Sequence, residues 1–147
     1  VEPVALDAVL DSVSKDCLRR FVQATISVDC PDDLMVEADS RLRIAVDGLV
    51  DNAIRHNPSS LPKVTLTAST LPDETVELTV ADNGAGIPES EQRVVTSDET
   101  ITPLSHGSGL GLWLVKWVTE SYGGSLAIDT PDDGGSIVRI RLSQAGD

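Results

Sequence analysis

Asn52 lies in Asp51-Asn52-Ala53-Ile54-Arg55-His56, near the end of a stretch with helical periodicity. Gly48, Asn52 and His56 are spaced by four and so fall on one row of that helix, with Arg55 beside it. An amide oxygen is a suitable hard ligand for Mg2+. The same row would also serve as the solvated face of an amphipathic helix. A second segment, Ala81-Asp82-Asn83-Gly84-Ala85-Gly86-Ile87-Pro88, directly follows a strand pattern. Asn-Gly there can be a hairpin turn, yet no second strand follows it. The Asp82 carboxylate at the strand end could accept a hydrogen bond from an exocyclic amine, with glycines allowing close approach of the backbone. The third segment is His106-Gly107-Ser108-Gly109-Leu110-Gly111-Leu112, leading into a helix. Alternate glycines free main-chain N–H groups to face an anion, and the helix N-terminus adds a positive dipole end. A plain flexible loop is the other reading. The spacing is not the dinucleotide-binding G-x-G-x-x-G, and no G-K-[ST] of a P-loop is present.

The elements that must carry these segments follow from periodicity. Residues 4–21 place Leu6, Val9, Leu10, Val13, Cys17, Leu18 and Phe21 at helical spacing. Ile26 to Val28 reads as a short strand. A second helix, capped by Asp39 or Ser40, is expected to run to about His56, where Asn57-Pro58 ends it. Val64 to Ala68 and Val76 to Val80 alternate with period two around the turn Leu71-Pro72-Asp73, the pattern of a hairpin. Residues 84–109 are irregular, polar and glycine-rich, too long for a mere connection in a small domain. A third helix is expected from about Leu110 to Tyr122, stopped by Gly123-Gly124. Leu126 to Ile128 and Ile137 to Leu142 form a closing hairpin. This order predicts an α+β chain: a two-layer sandwich with three helices on one face of a mixed, mostly antiparallel sheet.

Composition removes several classes of function. The chain has 147 residues and a formal net charge of -13, from 24 acidic and 11 basic side chains. No cation surplus exists to displace phosphate counterions, which argues against nucleic acid. The same balance argues against direct contact with an anionic membrane surface. Two Cys and two His without ligand spacing give no zinc signature. No apolar run approaches the length of a membrane span. The chain opens on Val1, not Met, and is expected to be a single domain from a longer protein.

Taken together and in this order, the three segments resemble those of the ATP-binding catalytic domain of sensor histidine kinases. That superfamily also includes DNA gyrase and the mismatch-repair ATPases. Asp51 to His56 is similar to the family's N box, Asp82-Asn83-Gly84-Ala85-Gly86 to its D-x-G-x-G box, and Gly107 to Leu112 to its second glycine box. Gly135-Ser136 is similar to its closing glycine-Ser/Thr element. The resemblance covers nearly the whole chain and implies the Bergerat ATP-binding fold. It implies that Asn52 coordinates the Mg2+ on ATP, Arg55 neutralises phosphate charge and His56 lies against the adenine. Asp82 would take the adenine amine, with Gly84 and Gly86 admitting the base. Gly107, Gly109 and Gly111 would cradle the phosphates, and about 88–106 would be the ATP lid. Ile87, His106, Ser108, Leu110 and Ser136 complete the nucleotide-contacting positions.

The resemblance further implies a histidine on an upstream dimerisation domain as phosphate acceptor, so no catalytic residue is assigned in this chain. A response-regulator receiver domain, a homodimeric parent and a cytoplasmic location are implied with it. The isolated chain is expected to bind ATP without phosphorylating itself. Two departures keep other readings open. Gly48 stands where the kinases usually carry a second Asn and the ATPases a water-activating Glu. The only Phe is Phe21, so the family's phenylalanine-containing lid box is missing. A degenerate nucleotide-binding scaffold and an anti-sigma-type serine kinase remain alternatives.

With 16 Asp, 8 Glu and only three Lys, the acidity points to a high-salt cytoplasm. Thermal unfolding should then move to higher temperature as salt rises toward molar concentrations. A protein most stable in dilute buffer would contradict that.

Overall fold

The computed structural model describes residues 1–55, 57, 60–84, 110–131 and 134–145, with the main chain alone at 110–113. The elements in order are β1 (Glu2–Ala5), α1 (Leu6–Arg20), β2 (Thr25–Asp29), β3 (Met35–Ala38), α2 (Arg41–Arg55) and β4 (Lys63–Thr70). They continue with β5 (Thr75–Asp82), α3 (Leu110–Ser121), β6 (Ser125–Asp129) and β7 (Ser136–Ser143). Five strands form one sheet in the order β2-β4-β5-β7-β6. Only β2 and β4 are parallel; every other neighbouring pair is antiparallel.

Period-two alternation decides which side of that sheet meets the helices. Val64, Leu66 and Ala68 of β4, Val76, Leu78 and Val80 of β5, and Val138, Ile140 and Leu142 of β7 are all buried. Register stacks them across strands: Leu78 lies opposite Ala68 on one side and Ile140 on the other. Onto this face α1 lays Leu6, Leu10, Val13 and Cys17, and α3 lays Val115, Val118 and Tyr122. Helix α2 packs against both α1 and α3 and contributes Leu42, Ala45, Val46, Leu49, Val50 and Ile54. The expected architecture of three helices on one face is thus present. Truncating a fully buried member such as Leu78 to Ala would cost about 2–5 kcal/mol.

Two short strands differ from the sequence reading. Val4 and Ala5 belong to β1, not to the first helix, and pair with Val36 and Met35 of β3. That small sheet reaches the large one through a bridge between Val36 and Gln144. Val4 fits a helical period as well as a strand, and its partner lies some thirty residues away. Tertiary pairing, which local pattern does not carry, decides the outcome. The end of α3 follows local chemistry instead. Gly123 (φ 77°) donates to the Glu120 carbonyl at 3.0 Å and Gly124 to the Thr119 carbonyl at 3.0 Å, a Schellman stop.

Asp39, of the two candidate caps, supplies the side chain at the start of α2. Its Oδ1 accepts the Arg41 main-chain N–H at 2.9 Å, and Arg41 Nη2 donates to Oδ2 at 2.8 Å. The Tyr122 hydroxyl donates to the same carboxylate, tying the start of α2 to the end of α3. The Arg41 guanidinium lies 5.4 Å from the ring centroids of both Trp117 and Tyr122. Arg41, and then the Tyr122 hydroxyl, hold the Asp39 carboxyl well below the usual carboxylate range. Burial, then Asp39, pushes the Tyr122 phenol up to about 12. A carboxyl with a depressed folded-state pKa stabilises the fold above its unfolded pKa, and that contribution is lost as pH falls. The melting temperature should therefore hold down to about pH 5 and drop progressively below it. Asp39→Asn should begin lower at neutral pH and fall less steeply with acid. An acid slope identical in both proteins would contradict this role.

Candidate functional site

The alternation that builds the core runs two residues past Val80 and brings Asp82, the last residue of β5, to the core-facing side at the sheet end. Directly opposite in register is Ser136, the first residue of β7 and only 4% exposed. Its hydroxyl donates to Asp82 Oδ2 at 2.6 Å, while the Gly84 N–H donates to Oδ1 at 2.8 Å. Each oxygen is oriented by one donor. An ionised carboxylate has about four acceptor positions, so capacity for a further donor is left. Gly135 closes this corner from the other hairpin. Its N–H donates to the Gly84 carbonyl at 2.8 Å, its φ is +81°, and a Cβ there would lie 2.3 Å from the Asp82 carbonyl oxygen. Only glycine allows the two main chains to pass so closely.

On the helix side, Asn52 is half-buried, and its side-chain amide makes no hydrogen bond to the described residues. One turn earlier, Gly48 leaves open space: a Cβ there would meet nothing within 4 Å. The neighbouring acids are occupied. Asp47 Oδ1 accepts from Arg20 Nη2 at 3.0 Å, and the buried Cys17 thiol lies 3.6 Å from it. Burial pushes that thiol up from its ordinary pKa, so it stays protonated. Asp51 Oδ2 accepts from Arg55 Nε at 2.7 Å. Asp51 Oδ1 is buried without a hydrogen bond, its ion-pair partner Arg20 Nη1 standing at 3.4 Å. The Arg55 guanidinium also lies 5.5 Å from the Phe21 ring centroid. Arg55 is thus placed beside Asn52 and held toward the end of α1.

The two halves are joined by side chains that sequence reading treated only as local punctuation. Asn57, past the end of α2, donates through Nδ2 to Asn83 Oδ1 at 2.7 Å. Asn57-Pro58 was legible as a helix stop and Asn83-Gly84 as a turn. Nothing in either segment announces that these two amides meet across 26 residues of chain. Of the expected site residues, Asp82, Gly84 and Ser136 converge, Asn52 and Arg55 share α2, and Leu110 and Gly111 open α3. His56, Gly86, Ile87, His106, Gly107, Ser108, Gly109 and the 88–106 segment lie outside the described residues. Among the described residues no cluster of three or more His, Cys, Asp or Glu could hold a metal ion. Mg2+, which usually keeps several waters and binds through a bound molecule's phosphate oxygens, does not require such a cluster. No helix among the described residues is long and apolar enough to cross a membrane.

Comparison with known proteins gives concordant matches. A family model described as histidine kinase-, DNA gyrase B-, and HSP90-like ATPase matches residues 37–146. The sensor-type histidine kinase PrrB of Mycobacterium leprae is 33% identical over 144 residues, covering 96% of this chain and 32% of the relative. The signal transduction histidine-protein kinase/phosphatase MprB of Mycolicibacterium paratuberculosis is 35% identical over 137 residues, covering 91% of this chain and 26% of the relative. The chain therefore spans about a third or less of the length of these relatives. Among solved structures, the mycobacterial sensor histidine kinase MprB superposes with a TM-score of 0.80 at 28% identity, covering 99% of this chain and 100% of that one. The ATP-binding domain of PrrB from Mycobacterium tuberculosis gives 0.72 at 27% identity, covering 98% and 97%.

The corner geometry predicts two different costs. Ser136→Ala removes a donor from a fixed carboxylate and should lower unfolding free energy by about 1–3 kcal/mol in urea denaturation. Gly135→Ala forces a Cβ against the Asp82 carbonyl at positive φ and should cost about 2 kcal/mol or more. A Gly135→Ala protein as stable as the parent would mean that this close approach does not exist in solution.

Proposed function

The chain belongs to the family of histidine kinase-, DNA gyrase B-, and HSP90-like ATPases, and on that premise we propose that it binds Mg-ATP and presents the γ-phosphate to a histidine outside this chain. The observation that carries the reading is the Asp82 carboxylate, oriented by Gly84 and Ser136 with acceptor capacity to spare. An adenine amine supplies the missing donor. Guanine would bring a carbonyl oxygen to the same place and be repelled. Asn52 offers an uncommitted amide for Mg2+, which when bound neutralises and orients the phosphate oxygens. Arg55 adds positive charge three residues further along α2, its reach limited by Asp51 and Phe21. The main chain opening α3 at Leu110 and Gly111, with Gly107 and Gly109 before it, supplies N–H groups to the anion.

Transfer is favoured over hydrolysis by the acids of α2. Water activation needs a carboxylate that is free to take a proton. Gly48 has no side chain, Asp47 is held by Arg20, and Asp51 is held by Arg55. Phosphoryl transfer asks for positioning and charge neutralisation, which these residues can provide. The acceptor histidine would sit on a dimerisation domain preceding this one in a homodimeric parent. The product phosphoryl group would pass to a response-regulator receiver domain in the cytoplasm.

Calorimetry with Mg-ATP should register binding to the parent chain. Asn52→Ala and Asp82→Asn should each weaken it by about tenfold or more. γ-Labelled ATP should leave the isolated chain unlabelled and label a histidine once the preceding helices are supplied. Binding unchanged in both variants, or label on the isolated chain, would overturn the reading.

A further inference from the structure

Where β5 leaves the sheet, the next rung of the β4–β5 ladder is completed by a side chain. The last regular pair is Val64 with Asp82. One step on, the Asn83 N–H still donates to the Lys63 carbonyl at 3.3 Å. The Lys63 N–H, however, donates at 2.9 Å to Asn83 Oδ1 and not to a main-chain carbonyl. The side-chain oxygen thus takes over the acceptor role of the strand. The main chain of residues 83 and 84 is thereby released to turn back, so that the Gly84 N–H reaches the Asp82 carboxylate.

The same carboxamide is used at both ends. Asn83 Oδ1 also accepts from Asn57 Nδ2 at 2.7 Å, and Asn83 Nδ2 donates to the Leu61 carbonyl at 3.3 Å. Asn57, two residues past the end of α2, and Leu61, before β4, are therefore both bonded to the strand end that carries Asp82. A Cβ added at Gly84 would lie 3.0 Å from Asp82 Oδ1 and 3.5 Å from Asn57 Cγ, so the Asn57 amide and the Asp82 carboxylate flank the same glycine. Asp at position 83 would keep the acceptor but turn a carboxylate oxygen on the Leu61 carbonyl. Ser or Ala could not span these contacts at all.

We propose that Asn83 is a positioning residue for base recognition: its carboxamide frees the main chain to orient Asp82 and, through Asn57, sets the separation between α2 and the end of β5. The inference rests on the nucleotide reading above and assigns Asn83 a role without making it touch the nucleotide. It predicts that losing Asn83 damages discrimination between bases, not only folding. The guanine repulsion described above depends on where the Asp82 carboxylate points.

The test is calorimetric affinity for Mg-ATP and Mg-GTP, measured well below the melting temperature of each protein. The panel is the parent, Asn83→Ala, Asn83→Asp, Asn57→Ala and the Asn83→Ala/Asn57→Ala double variant. Asn83→Ala should lose about tenfold in ATP affinity and narrow the ATP-to-GTP preference by a similar factor. Asn83→Asp should fall between it and the parent. The losses of the two single variants should be less than additive in the double variant, because both remove the same bond between the two amides. Variants that melt earlier yet keep the parent's affinity and preference would reduce Asn83 to a structural residue and overturn the proposal. Should Asn83→Ala fail to fold, Asn83→Asp decides the same question on the same two nucleotides. A parent that binds Mg-ATP and loses it in Asp82→Asn, with Asn83 variants unaffected, overturns this inference alone. A parent that binds no Mg-ATP overturns both.

Discussion

A carboxylate placed on the core-facing side of a sheet is costly unless its acceptor positions are filled. Asp82 arrives there because the alternation that buries Val76, Leu78 and Val80 continues one step beyond the last apolar residue. Much of the surrounding structure can be traced to satisfying that one group. Ser136 stands opposite in register and donates to one oxygen, while the chain turns sharply so that the Gly84 N–H meets the other. Replacing either donor leaves the carboxylate partly unsatisfied, so the corner is held by its own chemistry. A site of this kind is preorganised: the acceptor is aimed before any ligand arrives.

The glycines and amides around Asp82 follow from the same constraint. Gly135 must lack a Cβ because its main chain runs against that of Asp82 and bonds to Gly84. Asn83 must be an amide because one oxygen serves both Lys63 and Asn57, and one nitrogen serves Leu61. Through those bonds the strand end is coupled to the exit of α2, and so to Asn52 and Arg55. Helix α2 is fixed at its other end by Asp39, which binds Arg41 and the Tyr122 hydroxyl at the end of α3. The sheet, the central helix and the helix that follows the glycine box are therefore held in one frame by a small number of polar contacts over a continuous apolar layer.

Most of the helices and the antiparallel strands could be read from the chain because their information is local. Leu6, Leu10, Val13 and Cys17 repeat at helical spacing, and Leu66, Leu78 and Ile140 alternate with polar neighbours. The stop at Gly123-Gly124 is likewise written in the residues that make it. The β1–β3 pair was not legible, since four-residue strands such as Glu2–Ala5 carry too little pattern to outweigh an adjacent helix. The same limit applies to the site. Asp82 and Gly84 stood out because their types and spacing are chemically suggestive, whereas Ser136 came only from the resemblance of Gly135-Ser136 to the family's closing glycine-Ser/Thr element. Asn57 and Asn83 did not, because their importance lies in a contact between distant segments. The occupied state of Asp47 was hidden for the same reason, since Arg20 sits at the end of another helix, whereas Asp51 is held by Arg55 one turn along its own helix.

The high net charge of -13 now has a definite relation to the proposed ligand, itself a polyanion. In the proposed reading attraction comes not from the surface as a whole but from local groups: the Asn52 amide for a cation, Arg55, and main-chain N–H groups. Backbone amide NMR during titration with Mg-ATP tests that account residue by residue. Shifts should concentrate at Asn52, Arg55, Asn57, Asp82, Asn83, Gly84, Gly111, Gly135 and Ser136, while β2 and the β1–β3 pair stay unmoved. Shifts confined to the opposite end of the sheet, or none at saturating nucleotide, would contradict it.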